Sequence, residues 1–325
     1  MKPEATIETV KDPEITVRPL EERDLTEADQ IVRLAFGTFI GLPDPTTFMG
    51  DGDYVRTRWF ADPRAAFAAE SKGKVVGSNF ATNWGSIGFF GPLTIHPDFW
   101  DRGVGKRLME PIMECFANWG TCHAGLFTFP HSAKHLGLYQ KFGFWPRFLT
   151  AIMSKPIGGA ENNPPWTTFA AVAAGDRKAV LDECRALTNS IYEGLDVVRE
   201  IVSVADQNLG DTILVREGST LVGVAVCHIG PGTEAGSGTC YVKFGAARPD
   251  AAVVQNFGRL IEACEQLAAS RESARLVAGV NTAREAAYRE MLRRGFRSNL
   301  QGVVMSRPNE EGYNRPGVYL IDDWR

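Results

Sequence analysis

Residues 97 to 156 of this chain recur 152 positions later, and that recurrence limits the possible folds more than any single motif does. Pro97-Asp98 returns as Pro249-Asp250, Arg107-Leu108 as Arg259-Leu260, and Gly143-Phe144 as Gly295-Phe296. Met153-Ser154-Lys155-Pro156 returns as Met305-Ser306-Arg307-Pro308. One offset held across separated landmarks is the mark of a repeated unit, so the chain reads as two copies of one fold. The copies differ chemically. At the same offset Gly103 and Gly105 face Gln255 and Phe257, and Tyr139 faces Met291. Only the first copy keeps a glycine-rich helix start and a positioned phenol, so the search for function starts there.

A length of 325 residues agrees with two domains. The boundary is expected near 157, giving a first domain at 1–157 and a second at 158–325, with Ile157 to Trp166 (IGGAENNPPW) as linker. A net charge of −4 without a basic run argues against a nucleic-acid surface and against polybasic membrane attachment. The opening MKPEATIETVKDPEIT is polar and acidic, unlike a signal or transit peptide. No apolar run approaches the roughly 18 residues of a membrane span, so a cytoplasmic location is expected. Cys115, Cys122, Cys184, Cys227, Cys240 and Cys264 stand apart, without C-x-x-C or a histidine pair at ligand spacing. Neither a metal site nor a disulfide framework is expected.

Hydrophobic periodicity gives the element order. Ile15 to Val17 alternates as a strand, and Ala28, Ile31, Val32, Ala35 and Phe36 form a helical stripe opened by an Asp24/Glu27 capping box. Residues 37–64 read as a long loop with at most a short helix. A hairpin follows at 65–70 and 75–84, then a strand at 87–95 and a helix from Gly103 to Trp119. A strand at 122–129, a helix capped by Ser132 and stopped at Gly143, and a strand at 147–153 complete the copy. The second half repeats this with strand 167–172, a helix from Asp176, hairpin 212–217 and 220–228, and strand 239–247. Helix 253–269, strand 275–280, helix 282–294 and strand 300–306 follow, with an added strand at 317–321.

The run from Gly91 to Lys106 carries the chemistry. A strand ends at a proline, a turn follows, and two glycines open an amphipathic helix. Glycines there let backbone N–H groups approach a phosphate, and the helix N-terminus adds partial positive charge. Lys106, Arg102 and Arg107 add full charges. A dinucleotide-binding fingerprint needs a third glycine where Leu108 stands. A Walker loop needs Ser or Thr where Arg107 stands and a glycine where Trp100 stands. Tight turn packing is the other reading of the glycine pair. Downstream comes Leu138-Tyr139-Gln140-Lys141-Phe142-Gly143-Phe144.

Together these two motifs resemble the GNAT superfamily of acyl-CoA-dependent N-acyltransferases. That family carries Gln or Arg, then a glycine and a further Gly or Ala, after its fourth strand, and a late Leu-Tyr-x-Lys-x-Gly-Phe segment. The resemblance covers roughly residues 15 to 156. The second half resembles the family through element order, its hairpin, Asn281 and Gly295-Phe296. The implied architecture is α/β: two GNAT-like domains in tandem, each a mixed, mainly antiparallel sheet flanked by helices, with the second copy degenerate and structural or lining the cleft.

The resemblance implies roles for particular positions. The fourth and fifth strands would splay, and main-chain groups of Leu93, Thr94 and Ile95 would bond the pantetheine arm of acetyl-CoA or another acyl-CoA. Main-chain amides over Arg102, Gly103, Val104, Gly105 and Lys106 would hold the pyrophosphate, with Ser132 at the next helix start also on the cofactor side. Tyr139 would protonate or hydrogen-bond the departing thiolate; its other reading is a helix tyrosine packing on Phe142. His131 is the candidate base, or else a residue packing at a helix start. The family's Gln or Arg is Trp100 here, and the fourth-strand carboxylate is missing from Gly88 to Ile95. Asp44, Asp51 and Asp53 would receive a cationic amine or remain solvated. His96 would steady its turn. The implied function is N-acyl transfer, acetyl transfer foremost, from a CoA thioester to a primary amine by direct attack. The acceptor would be a small-molecule or peptide amine and the protein a monomer or homodimer; no metal is implied. A non-catalytic CoA-binding sensor is the alternative, and O-acyl transfer on the same fold a third.

Overall fold

A computed structural model describes residues 14–158 and 166–325; the segment at 1–13 and most of the expected linker lie outside them. Strand β1 (Ile15–Pro19) leads into helix α1 (Leu25–Ile40), whose inward stripe is Leu25, Ala28, Ile31, Val32 and Ala35. Asp24 does not cap α1 as expected. Its carboxylate is held by Arg18 at 2.6 Å and by the Glu21 amide at 2.9 Å, which closes a capping box one turn earlier, between Glu21 and Asp24. The Arg18 cation outcompetes the helix amides for that carboxylate, because charge-assisted bonds are the stronger ones. The loop after α1 contains helix α2 (Val55–Ala61).

Next come strands β2 (Ala66–Ser71), β3 (Lys74–Trp84), β4 (Ile87–Phe90) and β5 (Thr94–Ile95), then helix α3 (Val104–Trp119). Strand β6 (His123–Thr128), helix α4 (Ala133–Gln140) and strand β7 (Trp145–Pro156) close the first half. The second half holds β8 (Trp166–Thr168), α5 (Arg177–Ile191), α6 (Val198–Asp206), β9 (Gly210–Glu217), β10 (Thr220–Gly230) and β11 (Gly236–Ala247). It ends with α7 (Val253–Ser270), β12 (Arg275–Asn281), α8 (Glu285–Arg293), β13 (Arg297–Arg307) and β14 (Leu320–Ile321). Helix α6 is an addition to the expected order, although Val198, Ile201 and Val204 carry its helical spacing.

Two separate sheets were expected, and one 14-stranded sheet is found. Its main path is β1-β2-β3-β4-β6-β13-β7-β12-β11-β10-β9-β8, and off it β5 pairs with β3 and β14 with β11. The halves have exchanged their last long strands. Strand β13 lies antiparallel on β6, with Val303 opposite Thr128 and Arg307 opposite Ala124. Strand β7 lies antiparallel on β12, with Ile152 opposite Gly279. The two exchanged strands also pair with each other. Through the exchange β6 and β12 are paired on both sides and the two halves share one sheet, with no unmet backbone edge between them. Helices α5 and α6 share a core with Trp84, Phe89 and Phe244, and α7 shares another with Ala151 and Met153 of β7.

Candidate active site

Strands β4 and β6 run parallel only from Ile87 opposite His123 to Phe89 opposite Gly125. Beyond that they part. Strand β4 stops at Gly91, whose φ of 145° suits glycine alone, and Pro92 has no N–H with which to continue a ladder. The chain resumes as β5 against β3, with Thr94 opposite Ser78 and Ile95 opposite Gly77. The His96 amide bonds Val76 O at 2.8 Å, so by the alternation of an antiparallel ladder the amides of Leu93 and Ile95 aim the other way. Neither main-chain group of Leu93 bonds another described residue. The Ile95 carbonyl is taken by the Trp100 indole N–H at 2.8 Å. Thr94 is buried, its hydroxyl 3.4 Å from that of Ser78. An open strand edge at Leu93 is what an extended ligand arm can join.

The helix start has the same character. Gly103 is the N-cap of α3 with φ 74°, and Asp101 just before it also has positive φ, at 63°. The Gly103 carbonyl accepts from Lys106 N at 3.1 Å, whereas the amides of Arg102, Gly103, Val104 and Gly105 bond no other described residue. Successive free amides at a helix N-terminus make an anion seat. Gly105 has a packing reason as well. A Cβ there would stand 3.3 Å from Leu138 and 3.4 Å from Ile95, so glycine lets α3 close on α4 and β5. Arg102, Gly103 and Lys106 line an open depression of about 530 Å³ with Val17, Arg107 and Glu110. The Arg107 guanidinium itself is spent on the Ile15 carbonyl. Where the family pattern has Gln or Arg, the Trp100 ring carries the Lys134 ammonium at 5.6 Å, and Lys134 also pairs with Asp101 at 2.7 Å. A cation from α4 therefore stands beside the seat, which no reading of the motif anticipated.

Tyr139 lies in a cluster with Phe90, Phe144 and Met305, meeting Phe90 edge-on at 5.6 Å. Thr128, past the last β4–β6 pair, stands beside its phenol. Burial pushes the phenol well above its ordinary pKa and the neighbouring Thr128 hydroxyl offsets only part of that, so it remains a protonated donor. Ser132 caps α4, accepting from His135 N at 3.3 Å. His131 is exposed and stacks on Phe39 at 5.8 Å. Phe39 also meets Phe129 and His135 at 4.9 Å each, and Phe36 stacks on Phe48 at 5.2 Å. An aromatic wall thus lies beyond the end of β6, with His131 at its rim.

The three loop aspartates are engaged elsewhere. Asp44 accepts from Thr46 N at 3.0 Å, Asp51 from Ser237 N at 2.8 Å, and Asp53 from Arg56 N at 2.8 Å. His96 holds its turn through Asp98 N at 3.3 Å. The residue that sequence reasoning missed is Arg58. Its side chain is only 3% exposed; Nε donates to Glu234 Oε1 at 2.9 Å, Nη1 to the Gly91 carbonyl and Nη2 to the main-chain oxygen of Arg325. Glu234 also takes Lys243 at 2.9 Å, and Lys243 reaches Glu200 at 2.9 Å. Burial alone would raise the Glu200 carboxyl, but Lys243 and His228 outweigh it and hold it down at about 2. No local pattern announces a contact spanning 176 positions.

The second half is closed at both corresponding places. Phe257, opposite Gly105 in the repeat, is fully buried. Gly245 and Ala246, opposite Leu93 and Thr94, pair with Ile321 and Leu320 of β14. The chain's own strand occupies the edge that the first half leaves open.

Residues 31–144 match the acetyltransferase (GNAT) family. No curated protein matches the sequence. Among solved structures, a Pyrococcus horikoshii protein designated an acetyltransferase superposes with a TM-score of 0.67 at 13% identity, covering 94% of this chain and 93% of its own. A GCN5-related N-acetyltransferase of Sphaerobacter thermophilus gives 0.57 at 14% identity, covering 90% and 95%. A GCN5-related glucosamine N-acetyltransferase region of a fungal multi-domain β-N-acetylglucosaminidase gives 0.61 at 11%, covering 91% of this chain and 38% of that one. At these identities the likeness is one of fold.

Proposed function

We propose that the chain is an acyl-CoA-dependent N-acyltransferase, an acetyltransferase foremost, with one acyl-CoA site in its first half and a second half that is structural. The observation carrying this reading is a pair of unbonded main-chain stretches, Leu93 at the strand break and the amides of Arg102 through Gly105 at the helix start. When bound there, acyl-CoA supplies the activated thioester. Leu93 would bond the pantetheine arm as an added strand would, and its amide is placed to polarise a carbonyl. The amides at 102–105, with Arg102, Lys106 and Lys134, would seat the pyrophosphate. Tyr139 would donate its proton, or a hydrogen bond, toward the departing sulfur. A primary amine would enter past the aromatic wall.

The second reading, a CoA-binding sensor without turnover, is favoured by one feature: Gly88 to Ile95 contains no carboxylate, and the candidate base His131 is exposed. Acetyl-CoA incubated with a panel of amines and followed by thiol release separates the two. Release that depends on the amine supports transfer. Stoichiometric CoA binding with no release above hydrolysis for any amine refutes it.

A further inference from the structure

Among the described residues, one buried charge touches the proposed acyl site, the second half and the final segment together. Arg58 reaches Glu234 in the β10–β11 connection, the Gly91 carbonyl where β4 breaks, and the Arg325 main chain. Gly91 is the pivot of the open edge. Its amide is tied to Phe80 O at 2.9 Å, the last main-chain tie before Leu93. Its carbonyl belongs to the peptide plane that leads through Pro92 to Leu93, and Pro92 has no donor to fix that plane from its other side. Among the described residues, the Arg58 guanidinium is the only group bonded to that carbonyl.

The guanidinium is itself immobilised. Glu234 is as deeply buried and is shared with Lys243, which is shared in turn with Glu200, so two cations and two carboxylates form a closed set. Only a rigid planar fork can meet a carboxylate and two carbonyls at once. Resting on the acyl-transfer reading, we infer that Arg58 is a positioning residue: it sets the Gly91–Leu93 turn, and with it the free Leu93 amide, and it is the means by which the second half acts on the first-half site. Catalysis is steep in such placement, since a donor displaced by about 1 Å can cost as much as about 10²-fold.

Three variants of the full chain test this. Arg58→Lys keeps the charge for Glu234 but cannot serve two carbonyls as well. Glu234→Gln loosens the anchor from the second half, and Leu187→Ala, in the α5 core, lowers stability without touching the network. The expected order of kcat is Leu187→Ala equal to wild type, Glu234→Gln about threefold lower and Arg58→Lys at least about tenfold lower. CoA affinity should stay within about threefold throughout, because the helix-start seat is untouched. Amide exchange over residues 90–95 should quicken in the first two variants and not in the third. The inference is overturned if kcat simply follows melting temperature across all three, or if Arg58→Lys turns over like wild type. Should Arg58→Lys fail to fold, Glu234→Gln against Leu187→Ala decides by the same two measurements. A wild-type protein that releases no thiol with any amine would sink the acyl-transfer reading instead, while the exchange measurement would still judge the positioning of the turn.

Discussion

Tyr139→Phe removes one oxygen from a buried side chain and leaves the ring that meets Phe90 at 5.6 Å. Two consequences can be sized separately. For stability, at most one polar contact is lost, that of the phenol beside Thr128. A net hydrogen bond is worth about 1 kcal/mol, rising toward about 3 where the partner is left buried and unmet. Thr128 is itself buried, and at no more than roughly 2–4 °C per kcal/mol for a chain of this length the melting temperature should fall by less than about 10 °C. For catalysis, a positioned general acid contributes about 10²–10⁴-fold, so kcat should fall at least about tenfold while CoA affinity stays near that of wild type. Because burial raises the phenol's pKa, no tyrosine-linked loss of activity should appear in the pH profile below about pH 10. Steady-state thiol release and calorimetric CoA titration measure these quantities on one preparation. A kcat within about twofold of wild type, together with the expected small drop in melting temperature, would mean that Tyr139 only packs. A loss of CoA binding would mean that it shapes the cleft.

Gly103→Val forces a branched residue into a φ of 74° at the anion seat, so CoA titration should show at least about a tenfold weaker site, whereas Gln255→Ala should leave one unchanged site per chain. His123 is buried with both ring nitrogens unpartnered, and burial, aided by Arg147, lowers its pKa from 6.5 to about 4. Between those values the unfolded chain binds the extra proton. Stability is therefore complete above pH 6.5 and should fall by about 3 kcal/mol on acidification to pH 4, a dependence that denaturant titrations of His123→Leu should largely lack. A fragment of residues 1–160 should aggregate, because β6 loses β13 and β7 loses both neighbours. A soluble, monomeric and active fragment would refute the importance of the strand exchange.

The parts legible in the sequence were those set by local rules. Alternation, helical stripes and stop signals located most elements, and the offset of 152 carried β6, α4 and β7 onto β12, α8 and β13. The glycines at 103 and 105 and the tyrosine at 139 were found by spacing, because close backbone approach and a helix face are local requirements. What escaped was long-range. Which strand lies beside β6 depends on the whole sheet, and nothing in Arg297 to Arg307 says that its neighbour comes from the other half. Asp24 was misjudged for a similar reason, since its partner Arg18 lies outside the helix window. The acidic loop suggested a cation site, but Asp51 crosses to Ser237, 186 positions away. Arg58 sits in a short helix with no motif, and its meaning comes only from what the fold brings to it.

The exchange also accounts for how a half without the motif chemistry can matter to a site it does not contain. Met305 of β13 belongs to the same buried cluster as Tyr139, Phe90 and Phe144, so the wall behind the phenol is partly built by the second half. Thr128, beside the phenol, lies opposite Val303 of the same strand. On the other side of the cleft, Glu234 of the second half holds Arg58 against the Gly91 carbonyl. Both borders of the splay, the β6 side that carries Thr128 and the β4 side that leads to the free amide, are therefore braced by residues from beyond position 230. The second half cannot offer the same cleft in return. β14 already lies along its edge at Gly245 and Ala246, and Phe257 fills the place where Gly105 lets α3 close on its neighbours. One copy has its edge satisfied by its own chain and is rigid as a result. The first half keeps its edge open and is braced across the sheet by the second, which is the arrangement a pre-organised site requires.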